Sequence, residues 1–224
     1  MYTVYLICTM YSCCMPVPHE RRTLSRDIIG RRALAIADAD GVAAVTVRRV
    51  AKECSVTPMA LYAHFADKTA LLSAVSELVL EEVRLPPMTD GDWREQLADV
   101  IRATMDALDA HPAVVPTMMA TVLSAASGMA IAERVLELLS VAGFSAESAG
   151  EASRHLLSAV VGVVSGAAAT DHSAGPRPVL TVELAAKFPH VAASFASLTQ
   201  CTDKQADRDV AVRRLVAALG SDAA

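Results

Sequence analysis

At 224 residues the chain is long enough for two packed modules, and with 53% hydrophobic but only 4% aromatic residues its core must be built from small aliphatic side chains. The formal net charge of −5 excludes a uniformly basic surface, yet residues 20–68 carry nine Lys or Arg against six Asp or Glu, leaving −8 for the rest. A basic N-terminal part on an acidic remainder is the division expected when one module touches phosphate and the other does not.

Five cysteines, with no CxxC or Cys/His spacing, organise no zinc site and point to a reduced, cytoplasmic compartment. Residues 1–14 hold three of them and no charge, which makes a poor signal peptide. They read as an overlong start ahead of Met15, with residues 1–23 as an extension that is disordered or not native. The apolar stretch Leu156–Thr170 falls short of the ~18 to 20 residues that span a bilayer, so no membrane partner is expected.

Ser25 can cap a first helix in which Ile28, Ile29, Ala33, Ile36 and Ala37 recur at helical spacing until Gly41 stops it. Thr46 caps a short second helix that turns Val47, Val50 and Ala51 inward and leaves Arg48, Arg49 and Lys52 on its other sides. Cys54 and Ser55 end it. Thr57 is an N-cap, and Pro58 suits the first turn of a third helix, where a missing N–H leaves no bond unmade. Leu61 and Phe65 form the inward stripe of that helix; Met59, Ala60 and Ala63 point away, with Tyr62 and His64 flanking them. A face that is small and apolar at its centre, with hydrogen-bonding edges, suits a surface meant to be covered. The short gap between helices two and three has the length of a helix-turn-helix turn. Asp67 caps a fourth helix carrying Leu71, Leu72, Val75, Leu78, Val79 and Val83 up to Pro86 and Pro87.

Residues 88–92 read as a connector. Beyond it the pattern is helical throughout: Trp93–Asp109, a short Pro112–Met119, Ala130–Val141 stopped by Gly143, a long segment from Ser145 to Ala169, Val182 to about Leu198 interrupted by Pro189, and Asp203–Leu219. Residues 173–178 read as a loop. With no alternating β-branched run closed by a hairpin turn, the expected fold class is all-α.

The runs GVAAVTVRRVAKE at 41–53 and VTPMALYAHFADKTALL at 56–72 resemble the helix-turn-helix of the TetR family of transcriptional regulators. One departure is Cys54-Ser55, where many members place Gly; Ser adapts less easily to a left-handed backbone. The remainder, through the order of its helices and PheProHisVal at 188–191, resembles more loosely the ligand-binding domain of the tetracycline repressor branch. The resemblance implies a three-helix DNA-binding domain at 24–84 and a helical ligand-binding and dimerisation domain at 90–224. It further implies a homodimer that binds a palindromic double-stranded operator and is released by a small-molecule effector. In the tetracycline repressor a His and a downstream Glu help to hold the drug's magnesium. The corresponding positions here are Met118 and Thr170, neither a ligand for a hard cation, so no metal or other cofactor is expected and the effector is read as a small apolar molecule.

For DNA, the third helix would enter the major groove. Thr57 and Tyr62 can donate to phosphates, His64 can do likewise or reach a base edge, and Lys68 adds a charge. Met59 and Ala60 can make only apolar contacts, such as to thymine methyls, and Thr46 and Pro58 complete the set at the two helix starts. By resemblance Arg48 is the base reader, because its fork matches guanine O6 and N7.

In the second module, candidates to line a ligand cavity are Trp93, Met105, His111, Met118 and Met119, with Met129, Phe144, His155, Phe188 and Phe195. Gly162 and Gly166, four apart, let backbones approach closely and, with Val210, Leu215 and Leu219, mark the expected dimer interface; packing within one chain is the alternative for the two glycines. Enzymatic function would need a nucleophile with its base, a metal triad or a phosphate loop. GxSxG, GxGxxG and HExxH are all absent, so no catalytic residue is named. A helical protein-interaction adaptor that binds no DNA is the competing reading.

Overall fold

The computed structural model describes residues 24–119, 121–170, 179–199 and 204–219; the expected extension at 1–23 and loop at 173–178 lie outside the described residues. Among the described residues all regular structure is helical. No described helix is long and apolar enough to cross a membrane.

The first helix, α1 (Arg26–Asp40), begins where the Ser25 hydroxyl accepts the Ile28 N–H at 3.2 Å and ends at Gly41, whose φ of +81° suits a residue without Cβ. Helices α2 (Val47–Glu53) and α3 (Pro58–Tyr62) are each capped by a threonine: Thr46 accepts from Arg49 N–H at 3.2 Å and Thr57 from Ala60 N–H at 3.4 Å. Between them Val56 N–H donates to the Ala51 carbonyl at 2.9 Å and Ser55 N–H to that of Lys52 at 3.0 Å, with Ser55 at φ +56°. That is the Schellman ending of a helix, here with Ser where Gly is usual. Helix α3 is shorter than its apolar stripe suggests. It ends at Tyr62, so His64 and Phe65 lie beyond it, although Phe65 is buried. Asp67 accepts from Ala70 N–H at 2.7 Å and starts α4 (Lys68–Glu81).

Helix α4 packs on α1 and also touches the helices of the second module, which makes it the mechanical link between the two halves. Those helices are α5 (Trp93–Ala110), α6 (Val115–Met118), α7 (Ala126–Val141), α8 (Ala146–Thr170), α9 (Val182–Lys187), α10 (Pro189–Thr199) and α11 (Lys204–Leu219). The connector is tied down by Gln96, whose amide donates to the carbonyls of Thr89 and Gly91 and accepts the Thr89 N–H. One apolar core runs from Ile29 through Val79, Leu97 and Leu139 to Val212.

Besides α3, and α4, which stops at Glu81 ahead of Val83, two more segments differ from expectation. Helix α7 begins at Ala126, ahead of Ala130, because Gly128 acts not as a breaker but as the point where α7 crosses the Val122–Ser124 turn. A Cβ there would sit 1.9 Å from the Val122 carbonyl oxygen. The α6 segment is a single turn. Helix α7 itself ends in a second Schellman motif, Phe144 N–H to Leu139 O and Gly143 N–H to Ser140 O, with Gly143 at φ +92°.

Candidate DNA-binding and ligand-binding sites

Leu61 and Phe65 root α3 in the core, and its other side is left bare: Met59 is 75% and Tyr62 51% exposed. Thr57, Pro58 and Lys68 are exposed alongside, while Ala60 and His64 are half-buried. On α2, Arg48 and Arg49 are sequence neighbours in different situations. Arg49 is ion-paired with Asp40, whereas Arg48 is exposed and has no ion pair among the described residues. Thr46 is exposed at the start of the same helix. Of the residues expected to meet DNA on or beside α2, α3 and the first turn of α4, all are solvent-exposed except Ala60 and His64, which are half-buried.

Sequence reasoning gave no role to Arg26. Its guanidinium lies 4.4 Å from the centroid of the Phe65 ring and donates to the His64 carbonyl, which steadies the chain just past α3. No local pattern around Arg26 announces this, since its partners arrive through the fold.

Among the described residues the ligand candidates differ widely in burial. Met105 and Met118 are fully buried in the core, and Trp93 makes an edge-to-face contact with Phe144, ring centroids 6.3 Å apart. Met119, Met129, His155 and Phe188 are exposed, and Phe195 is half-buried on α10. Nothing on α9 or α10 is fully buried. The His111 ring is engaged by two carboxylates, Asp38 and Glu82, which withdraws it from the set of free cavity groups. A cleft of about 460 Å³ lies elsewhere, between α1, α4 and the Val122–Ser124 turn, bordered by Asp27, Ser73, Glu77, Thr121 and Ser124. None of the expected ligand residues lines it.

On α8, Gly162 and Gly166 face outward, and a Cβ built at either meets nothing within 4 Å. On α11, Val210 is exposed and Leu215 half-buried, but Leu219 is buried within its own chain and so cannot be an open contact for a second copy.

The model of the bacterial regulatory proteins of the tetR family matches residues 29–75, and that of the tetracyclin repressor-like C-terminal domain matches residues 85–216, more than half of the chain. The chain belongs to the TetR family. It is 35% identical to the class A tetracycline repressor protein of transposon 1721 from Escherichia coli, over 77% of this chain and 80% of that one. Among solved structures, ActR of Streptomyces coelicolor in complex with actinorhodin superposes with a TM-score of 0.78 at 27% identity, covering 89% of this chain and 98% of that one. BioQ with its double-stranded DNA operator superposes at 0.60 and 28% identity, over 87% and 99%. The all-helical fold, a helix-turn-helix domain followed by a helical C-terminal domain, is that of the family. As a TetR-family protein the chain is a sequence-specific, ligand-responsive DNA-binding transcriptional regulator. At the expected departure, Cys54-Ser55, the backbone of Ser55 is left-handed despite the Cβ.

Proposed function

We propose that this regulator is a homodimeric cytoplasmic repressor that binds a palindromic operator through two copies of α3 and is released by a small apolar effector. The observation that carries the reading is the bare face of α3 beside an Arg48 that is exposed and has no ion pair among the described residues: a groove-entering helix with a guanidinium fork that can read guanine. In each half-site Arg48 reads a base, Tyr62, Thr57 and Lys68 hold phosphates, and Met59 with Ala60 packs against thymine methyls. Thr46, Pro58 and His64 border the same surface. The second copy packs through the open faces of α8 and α11, around Gly162, Gly166, Val210 and Leu215, and it also covers the apolar side chains that α9 and α10 leave exposed.

The effector site is placed in the helical domain around Met105 and Met118, whose flexible side chains can make room for an apolar molecule. Trp93 packs on Phe144, which α7 and its Schellman ending connect to that core, so its fluorescence reports on effector binding. Selection of bound duplex from a random pool is the direct test of function. Recovery of a palindrome, with affinity falling by orders of magnitude between roughly 50 and 200 mM salt, is the expected result; recovery of no preferred sequence overturns the reading. Magnesium-tetracycline is expected to leave Trp93 emission unchanged, and a tight magnesium-dependent quench would overturn the apolar-effector assignment.

A further inference from the structure

Helix α5 ends at Ala110 because His111 leaves helical geometry, at φ −132° and ψ 55°, and Pro112 follows it. The His111 backbone is nonetheless fixed on both sides: its N–H donates to Leu108 O at 3.1 Å and its carbonyl accepts the Val114 N–H at 3.0 Å. From this anchored position the ring reaches the DNA-binding half. Nδ1 lies 2.9 Å from Asp38 Oδ2, in the last turn of α1, and Nε2 lies 3.4 Å from Glu82 Oε2, at the cap that ends α4. The side chain is only 14% exposed. Carboxylates only accept, so a proton on Nδ1 is donated to Asp38, while Nε2 stands within ion-pair distance of Glu82.

Among the described residues, two further residue pairs link α4 and the segment behind it to α7, through three hydrogen bonds. Glu77 of α4 accepts from the Ser127 N–H and hydroxyl, and Arg134 of α7 donates to the Pro86 carbonyl. Both act on α4 or the segment behind it. His111 differs in gripping α1 and α4 together, at the ends of both helices.

We propose that His111 is a positioning residue for operator binding: through Asp38 and Glu82 it clasps α1 and α4 to the end of α5, and so sets the angle at which the dimer presents α3 to DNA. It touches neither base nor effector. The inference rests on the operator-binding reading above. In a two-fold dimer the separation of the two recognition helices must match half-sites one helical turn, ~34 to 36 Å, apart. A domain held at one angle rejects altered spacings; a domain free to pivot tolerates them.

The experiment uses the full-length dimer, the operator recovered by selection, and duplexes whose half-site spacing is lengthened or shortened by one base pair. Spacing discrimination should fall about tenfold in His111→Ala, the size of one charge-assisted hydrogen bond. It should be partly restored in His111→Gln, which keeps a donor. Asp38→Ala and Glu82→Ala should each act in the same direction and be non-additive with His111→Ala. Base preference within a half-site and the salt slope should not change, because no DNA contact is removed. Deuterium uptake of the free protein should rise in His111→Ala at residues 37–41 and 81–83.

A uniform loss of affinity at every spacing marks ordinary destabilisation and overturns the proposal. So does unchanged spacing discrimination, whether or not deuterium uptake rises. If the wild-type protein selects no duplex at all, the operator reading itself fails; if it binds and His111→Ala behaves as wild type, only this inference fails.

Discussion

Arg48 and Arg49 separate the two fates of a surface arginine. Arg49 is spent on Asp40 within the chain, whereas Arg48 projects from α2 with its fork open. If it reads guanine, Arg48→Ala should cost about 1 to 3 kcal/mol of operator binding and relax preference at one position of each half-site. If Tyr62 donates to a phosphate, Tyr62→Phe removes only that contact and should weaken all sequences alike. Competition binding against a library of single-base operator variants separates the two, and identical profiles would refute the assignment of roles. A third residue bears on stability. Ser55 carries a Cβ at φ +56°, in the motif that α7 closes with Gly143. Left-handed geometry costs an L-residue about 1 to 2 kcal/mol, part of which Gly gives back through its freer unfolded chain. Ser55→Gly should therefore raise stability on the order of 0.5 kcal/mol in urea unfolding. A loss instead would mean that the turn is not strained.

At the scale of elements, α11 is fastened to α5 by a charge taken out of water. Arg208 is buried, donates to the Met105 carbonyl at 2.8 Å and pairs with Asp109 at 2.5 Å and Asp106 at 3.3 Å, while Lys204 also meets Asp109. Removing one partner of a buried pair leaves the other uncompensated, so Arg208→Ala should destabilise by about 3 to 5 kcal/mol. Arg208→Met, which fills the same space, should still lose stability because Asp109 keeps its charge, but less than Ala does. Urea unfolding at fixed protomer concentration measures both, and equal small losses would show the pair to be solvated. This anchor also shows where reading a sequence stops. Ser25, Thr46, Thr57 and Asp67 were legible as caps because a cap bonds to its own next turn, and the inward faces followed from spacing. Arg208 and His111 act on partners far along the chain, so their local surroundings misdirect: a lone histidine reads as a cavity group. The ligand site was the least legible part, since methionines in a core and methionines around a ligand share one pattern.

For the whole molecule, operator binding by the proposed dimer would depend on a surface outside the residues proposed to touch DNA. Gly162 and Gly166 lie on the outward side of α8, where an added Cβ meets nothing within 4 Å. Packing against the described residues therefore does not require glycine at either position, and the core of helices α1 to α3 should be undisturbed when both are replaced with Leu. What the substitution would obstruct is the close approach of a second α8 in the proposed dimer. The double variant should splay the dimer and shift sedimentation toward monomer while keeping its helical circular dichroism. Operator affinity should then collapse although Arg48, Tyr62 and Lys68 are all in place, because a single small helix-turn-helix reaches one half-site and loses the second set of phosphate contacts. The residual binding should show a salt slope about half that of the wild-type dimer, as expected when half the phosphates release their counterions. A double-Leu variant that remains dimeric and binds its operator normally would move the dimer surface away from these glycines and onto another face of the helical domain.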